Sequence, residues 1–198
     1  MTFEQIKNIL RTTRVGIAGC GGLGSNCAVA LVRSGVGHLV IADFDRVEES
    51  NLNRQYFFAD QIGQPKTEAL KQNLLRIRPE TRVEAHFKKL DSGDIPYLFA
   101  NWDVIVEAFD GALAKQMIIE TVTEELPQIP LVSGMGMAGW GKSESIRLQQ
   151  YGKLYLCGDG ETEVSDELPP LAPRVGMVAN MQANTVLEIL LGKMWFSS

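Results

Sequence analysis

The sequence predicts an α/β fold: a Rossmann-like, mostly parallel sheet flanked by helices, with a small C-terminal antiparallel flap and a closing helix. Three observations predict it. Short β-branched runs alternate with helical stretches through the first two thirds of the chain. A glycine-rich turn joins the first of these runs to a long helical stretch. After Gly134 the alternation stops, giving way to two short strand-like runs about Gly152 and one long, apolar-striped helix.

Taken in order, Phe3, Ile6, Ile9 and Leu10 lie on one side of a short amphipathic helix. Residues 14–18 (RVGIA) form a strand, and a helix covers 23–34 after the glycine turn. Residues 38–42 (HLVIA) are the second strand, and 43–56 a long polar loop. A helix over 66–77 stops before Pro79, as helices do ahead of proline. Strands follow at 82–86, 103–106 and 131–133, with a helix over 112–123 between the last two. Residues 143–149 and 153–157 read as paired strands, and 158–173, rich in glycine, acids and proline, as a mobile loop. The final helix spans 174–191 with Val175, Val178, Ala179, Val186, Leu187 and Leu190 as its buried stripe, and Gly192 is its stop. The whole chain, 1–198, reads as one domain: a Rossmann-like nucleotide-binding part over 1–134, a flap and crossover loop over 135–173, and the closing helix over 174–192.

Composition narrows the function classes. A net charge of −5 argues against a general nucleic-acid binder. No apolar run approaches the roughly 18 residues of a membrane span, and residues 1–14 lack a signal-peptide core. Cys20, Cys27 and Cys157 are an odd set with irregular spacing, which is no disulfide framework and implies a reducing, cytoplasmic setting.

Four features carry chemistry. Gly19-Cys20-Gly21-Gly22-Leu23-Gly24 is a G-x-G-x-x-G between strand and helix, where glycines permit a tight turn and let backbone approach a phosphate. Asp43 ends the next strand, at the spacing of a ribose-binding acid. These glycines alone also fit a turn packed only for steric reasons. The loop DFDRVEESNLNRQ, from Asp43 to Gln55, lies at the C-terminal end of a parallel strand, the edge at which open α/β sheets bind ligands. Lys66 opens a helix, where its charge opposes the helix dipole; a bound polyphosphate explains it, and a plain surface lysine is the alternative. Asp110 follows an apolar strand and suits either Mg²⁺ or the N-cap of the next helix.

GCGGLGS, DFDRVEESNLNRQ, Lys66 and Asp110, in this order and spacing, closely resemble the ubiquitin-activating enzyme superfamily in its short bacterial ThiF/MoeB branch. The resemblance covers about residues 12–192, and the ending (SGMGMAGWGKSESI, LYLCGDG, LAPRVG, QANTVLEILLG) looks most like the short ThiF type of thiamine biosynthesis. It implies an ATP-dependent adenylyltransferase that activates the C-terminal Gly-Gly carboxylate of a small ubiquitin-like sulfur carrier. Residue by residue, it implies that the glycine loop, through Gly21 and Gly22, cradles ATP phosphates, with Gly19 and Gly24 part of the same cofactor-binding loop, and that Asp43 holds the ribose. Asp45 belongs to the same nucleotide-binding loop, and Asn51, Arg54 and Gln55 reach the phosphates. Lys66 stabilises the triphosphate and Asp110 organises Mg²⁺; Arg54, Lys66 and Asp110 form the catalytic set. An α-carboxyl group, with a pKa of about 3.3–3.7, is ionised at neutral pH and needs no general base. His38 and His86 are accordingly read as structural or surface residues.

The chain departs from longer relatives in lacking two C-x-x-C pairs, so no zinc is expected. A homodimer is expected, without membrane or nucleic-acid partners. Cys157 is the one candidate for a covalent bond to the activated carrier, set against its reading as a small core-edge thiol. Arg11 or Arg14 are candidates for an arginine reaching a partner subunit, and Met135, Met137 and Trp140 for a channel around the carrier's tail. Two other classes compete. An NAD-dependent oxidoreductase explains the glycine loop and Asp43 but leaves SNLNRQ, Lys66 and Asp110 without roles. A non-catalytic nucleotide-binding relative ought to have lost a cationic or metal-binding residue. Within adenylation, a molybdopterin carrier, a tRNA or a peptide are alternative substrates.

Overall fold

The computed structural model describes residues 1–192. After helix α1 (Phe3–Leu10) the chain alternates through β1 (Arg14–Ala18), α2 (Gly22–Ser34), β2 (His38–Asp43), α3 (Lys66–Ile77) and β3 (Arg82–Phe87). It continues through α4 (Asp94–Phe99), β4 (Val104–Glu107), α5 (Ala112–Glu125) and β5 (Leu131–Gly134). The hairpin β6 (Arg147–Tyr151) and β7 (Leu154–Gly158) and helix α6 (Ala172–Leu191) complete it. The strands form one seven-stranded sheet in the order β3-β2-β1-β4-β5-β7-β6. β1 to β5 and β7 are parallel, and only β6 runs antiparallel, against β7. The strand order reverses between β1 and β4, which opens a crevice beyond their C-terminal ends.

The sheet separates two cores, as its period-2 alternation requires. Val15 and Ile17 of β1, Leu39 and Ile41 of β2, and Val104 and Val106 of β4 face α2, α3 and α6. Ala18, Val40, Ile105 and Leu131 face α4 and α5. Helix α4 was not expected from the sequence: it has six residues, too few to show a helical period. It nevertheless supplies Phe99, fully buried, whose ring lies over Gly16 where any added Cβ would strike it.

The antiparallel pair expected as a flap continues the main sheet, since β7 pairs with β5. Its first strand begins at Arg147 rather than at residue 143, because Ser143–Ser145 is a 3₁₀ turn preceded by Lys142 in the left-handed region (φ 46°). Arg174, buried in the first turn of α6, curls that stretch. It donates to the carbonyls of Gly141 at 2.5 Å and Lys142 at 3.4 Å and to the Ser145 hydroxyl at 3.2 Å. Its charge is met by Asp159, also buried. Burial pushes the Asp159 carboxyl up, but the N–H groups of Thr162 and Glu161, the Thr162 hydroxyl and the Arg174 guanidinium outweigh it and hold the group down at about 2. Gly139 donates to the Pro169 carbonyl at 2.9 Å, so the segment after β5 and the crossover before α6 are tied together.

Phe99→Ala opens a cavity between α4 and Gly16 and is expected to lower the unfolding free energy by about 3–5 kcal/mol. Tyr97→Ala, on the same helix at a side chain 86% exposed, changes it by less than about 0.5 kcal/mol. Urea titration of both variants checks the contrast; equal effects would contradict the packing described.

Candidate functional site

The glycine loop turns the chain from β1 into α2. Gly19 takes φ 98° and donates to the Ala42 carbonyl at 2.8 Å; a Cβ there would meet the Ala108 carbonyl at 2.6 Å. At Gly24 a Cβ would run into the Gly19 carbonyl, and at Gly22 it would press on Val175 at 3.0 Å. Three of the glycines thus answer to close packing, one of them against β4 across the switch point. Gly21 differs: only the Gln55 amide lies near its missing side chain, at 3.9 Å. As the N-cap of α2, Gly21 makes no side-chain bond, and the first turn holds no acid. The helix N-terminus therefore keeps its positive end open to an anion.

Asp43, at the end of β2, is buried and uses both carboxylate oxygens locally. One accepts the Cys20 N–H at 2.6 Å and the other the Asp45 N–H at 2.7 Å. Burial raises its pKa, although these N–H groups and Lys66 pull the other way. The bonds lock the end of β2 to the glycine loop and leave the remaining lone pairs for a hydroxyl.

Lys66 is not a surface lysine, being only 6% exposed. A short ladder brings it to the Asp43–Val47 segment: Lys66 N–H donates to the Asp45 carbonyl at 2.9 Å, Val47 N–H to Gln64 at 2.9 Å, and Gly63 N–H to Val47 at 2.8 Å. Its ammonium then pairs with the Asp45 carboxylate at 2.8 Å, a group whose side chain is 43% exposed. Asp45 is thus the ammonium's partner, a role the sequence did not indicate.

In the following loop, Asn51 closes its own 3₁₀ turn by accepting the Glu48 N–H at 3.0 Å. Arg54, half-buried, donates to Ser50 O at 3.0 Å and to Asn53 Oδ1 at 2.8 Å, and its methylenes lie near Gly22. Gln55 is buried, and its Oε1 has no hydrogen-bond partner. Two residues that sequence reasoning passed over hold this loop against α2. Ser25 Oγ donates to Gly21 O at 2.6 Å and accepts the Tyr56 N–H at 3.0 Å. Asn26 Nδ2 donates to Gly22 O at 2.7 Å and to Arg54 O at 2.8 Å. Their signal was two polar residues directly after the glycine run, ahead of an otherwise apolar helix.

Across the crevice, Asp110 is exposed in the turn after β4 and makes no hydrogen bond or ion pair among the described residues. The N-cap of α5 is Gly111, so capping does not account for Asp110. A carboxylate in the turn after β4, at the same C-terminal sheet edge as the glycine loop, suits Mg²⁺ bound to a polyphosphate. That ion takes one or two carboxylates plus phosphate oxygens rather than an all-protein cage. No cluster of three His, Cys, Asp or Glu side chains exists among the described residues.

Other candidates lie elsewhere. His38 and Arg14 begin their strands, at the opposite edge of the sheet, and the Arg14 guanidinium stacks on Trp102 at 5.0 Å. Trp140 is 68% exposed, while Met135 and Met137 are half-buried. Cys157 is fully buried beneath α6, 3.8 Å from the Thr185 hydroxyl; burial pushes its thiol up to about 11. Cys20 and Cys27 are also buried, in the same core. Among the described residues no helix is long and apolar enough to cross a membrane.

A glycine loop at a helix N-terminus, with acids and cations gathered at the C-terminal edge of a doubly wound sheet, defines the chain as a Rossmann-like α/β protein with a polar switch-point site. The chain belongs to the ThiF family, whose profile matches residues 3–197. It is 31% identical over 188 residues to the molybdopterin-synthase adenylyltransferase of Escherichia coli (strain K12), covering 92% of this chain and 75% of that one. It is 31% identical over 189 residues to the adenylyltransferase and sulfurtransferase UBA4 of Eremothecium gossypii, spanning 95% of this chain but only 40% of the longer protein. In structure it is similar to the E. coli tRNA N6-threonylcarbamoyladenosine dehydratase TcdA in complex with AMP. That match has a TM-score of 0.85 at 20% identity over 96% of this chain and 90% of that chain, and it bears on the fold alone. E. coli MccB, solved with ATP, matches with a TM-score of 0.71 at 25% identity over 93% of this chain and 57% of that chain.

Because its thiolate is disfavoured and covered, Cys157 is expected to resist iodoacetamide at pH 8 in the native protein and to react once urea unfolds it. Mass spectrometry of the labelled peptide checks this; rapid native labelling would return the residue to the list of reactive groups.

Proposed function

We propose that this protein is an ATP-dependent adenylyltransferase. It activates the C-terminal Gly-Gly carboxylate of a small ubiquitin-like sulfur carrier, of the ThiS type used in thiazole synthesis. The observation that carries the proposal is Lys66: a buried ammonium, held by a backbone ladder and a partly exposed carboxylate just after β2, close enough to the glycine loop for its charge to act on Cys20. Burying such a cation costs desolvation, and an incoming polyphosphate gives the charge a purpose there. The names of the curated relatives support the reaction class, and the resemblance of the C-terminal third supports the carrier.

In the reaction, a carboxylate oxygen of the carrier attacks the α-phosphorus of ATP. The bond from that phosphorus to the bridging β-phosphate oxygen breaks, leaving an acyl-adenylate and pyrophosphate. Both reactants are anionic, so charge neutralisation governs the rate. The N-terminus of α2, Arg54 and Lys66 hold the phosphates, Asp43 the ribose, and the Gln55 amide lies beside Gly21. Asp110 would hold Mg²⁺, which when bound neutralises developing charge on the phosphate oxygens. Met135, Met137 and Trp140 border the approach of the carrier's tail, and the active species is a homodimer.

ATP–pyrophosphate exchange with Mg²⁺ and a panel of Gly-Gly carriers, ThiS-type and molybdopterin-type, tests the reading. Exchange that needs a ThiS-type carrier is expected, falling about 10²–10³-fold in Arg54→Ala, Lys66→Ala and Asp110→Ala. Exchange only with the molybdopterin-type carrier would correct the substrate. Absence of exchange with every carrier by folded protein would refute the function.

A further inference from the structure

Behind the site lies a set of buried polar groups with no part in the chemistry above. Glu107, the last residue of β4, is wholly buried. Its Oε1 accepts the Phe109 N–H at 2.7 Å; its Oε2 accepts the Ser133 hydroxyl at 2.5 Å and the Lys115 ammonium at 2.5 Å. Lys115, one turn into α5, donates a second bond to the Gly134 carbonyl at 2.8 Å. From α6, Gln182 Nε2 donates to the Glu107 carbonyl at 3.0 Å and the Val132 carbonyl at 3.3 Å.

A buried ion pair is a poor way to add stability, since apolar residues of similar volume commonly do as well or better. What this one does is fix geometry. Two segments leave the sheet at this point: residues 108–111, carrying Asp110 after β4, and residues 135–141, carrying Met135, Met137 and Trp140 after β5. Through its two oxygens Glu107 shapes the first turn, at the Phe109 N–H, and grips β5 at Ser133. Lys115 closes the circuit from Glu107 to Gly134, the root of the second segment. No other ion pair among the described residues joins the ends of β4 and β5.

We infer that Glu107 and Lys115 are positioning residues, which hold the Asp110 turn at a fixed place against the root of the segment after β5. They couple the metal–phosphate end of the site to the end where the acceptor carboxylate enters. The inference rests on the functional reading above. Their bonds go to the Phe109 N–H, the Ser133 hydroxyl and the Gly134 carbonyl, so they act through the Asp110 turn and the root of the segment after β5 rather than on substrate.

The test uses Glu107→Gln, Lys115→Met and the double variant, which removes both charges and guards against a single variant failing to fold. ATP binding is titrated by calorimetry with Mg²⁺ and again in EDTA, and unfolding midpoints are recorded alongside. The expected result is an unchanged ATP affinity in EDTA, with the Mg²⁺ concentration for half-maximal tight binding raised about tenfold, within the range seen when supports of a metal ligand are removed. In exchange assays kcat falls while KM for ATP stays within about twofold of the parent. Variants that unfold more easily yet keep the parent's Mg²⁺ dependence would overturn the inference and reduce the pair to a stability element. If the parent itself binds no ATP, the functional reading fails first, and this inference with it.

Discussion

Where Gly19 passes the end of β4, backbone meets backbone and there is no room for a Cβ. A side chain at that position would have to occupy the Ala108 carbonyl. This single close approach sets the width of the crevice at the strand reversal. On one side it places the N-terminus of α2, with the Gly21 N-cap; on the other, the turn bearing Asp110. Gly24 repeats the constraint one helical turn on, since it must sit against the Gly19 carbonyl for α2 to start where it does. The rest of the site is hung on that frame: Asp43 bonds the glycine loop from β2, and Ser25 and Asn26 bond the Arg54 segment from α2.

Charge is arranged before any substrate arrives. Lys66 is buried with Asp45, and Asp43 is buried with two N–H donors. Each costly group thus has a partner within the chain. Both pairings are incomplete: Asp45 is partly exposed, and Asp43 accepts one bond at each oxygen. In the proposed reaction a triphosphate would share Lys66 with Asp45, and a ribose hydroxyl would join Asp43, without dismantling the loop. Preorganisation of this kind spares reorganisation during reaction, which is what a charge-stabilising site requires.

Much of this was legible in the sequence, because it depends on local pattern. The strand–glycine–helix unit, the polar loop after β2 and the final helix follow from residue types over short windows. What was not legible is non-local. Glu107 and Lys115 are eight residues apart and find Ser133 only once β4 and β5 lie side by side. Asp45 meets Lys66 across 21 residues, by a ladder that no propensity foretells. The Asp159–Arg174 pair curls residues 143–145, which a strand pattern had claimed. Helix α4 is short and is fixed by what Phe99 fills, a property of the folded core and not of its own sequence. Cys157 read as a possible reactive thiol because sequence gives no depth; α6 covers it.

The central claim is that the strand ends around β1, β2 and β4 form one ATP site. Hydrogen exchange of the intact protein with and without ATP–Mg²⁺ tests it most directly. The account predicts slowed exchange together in residues 19–26, 43–56, 63–70 and 108–115, with little change at the opposite edge of the sheet. Protection confined instead to the shallow groove of Val32, Arg33, Ile77, Arg78 and Glu80, or no protection at all, would contradict it.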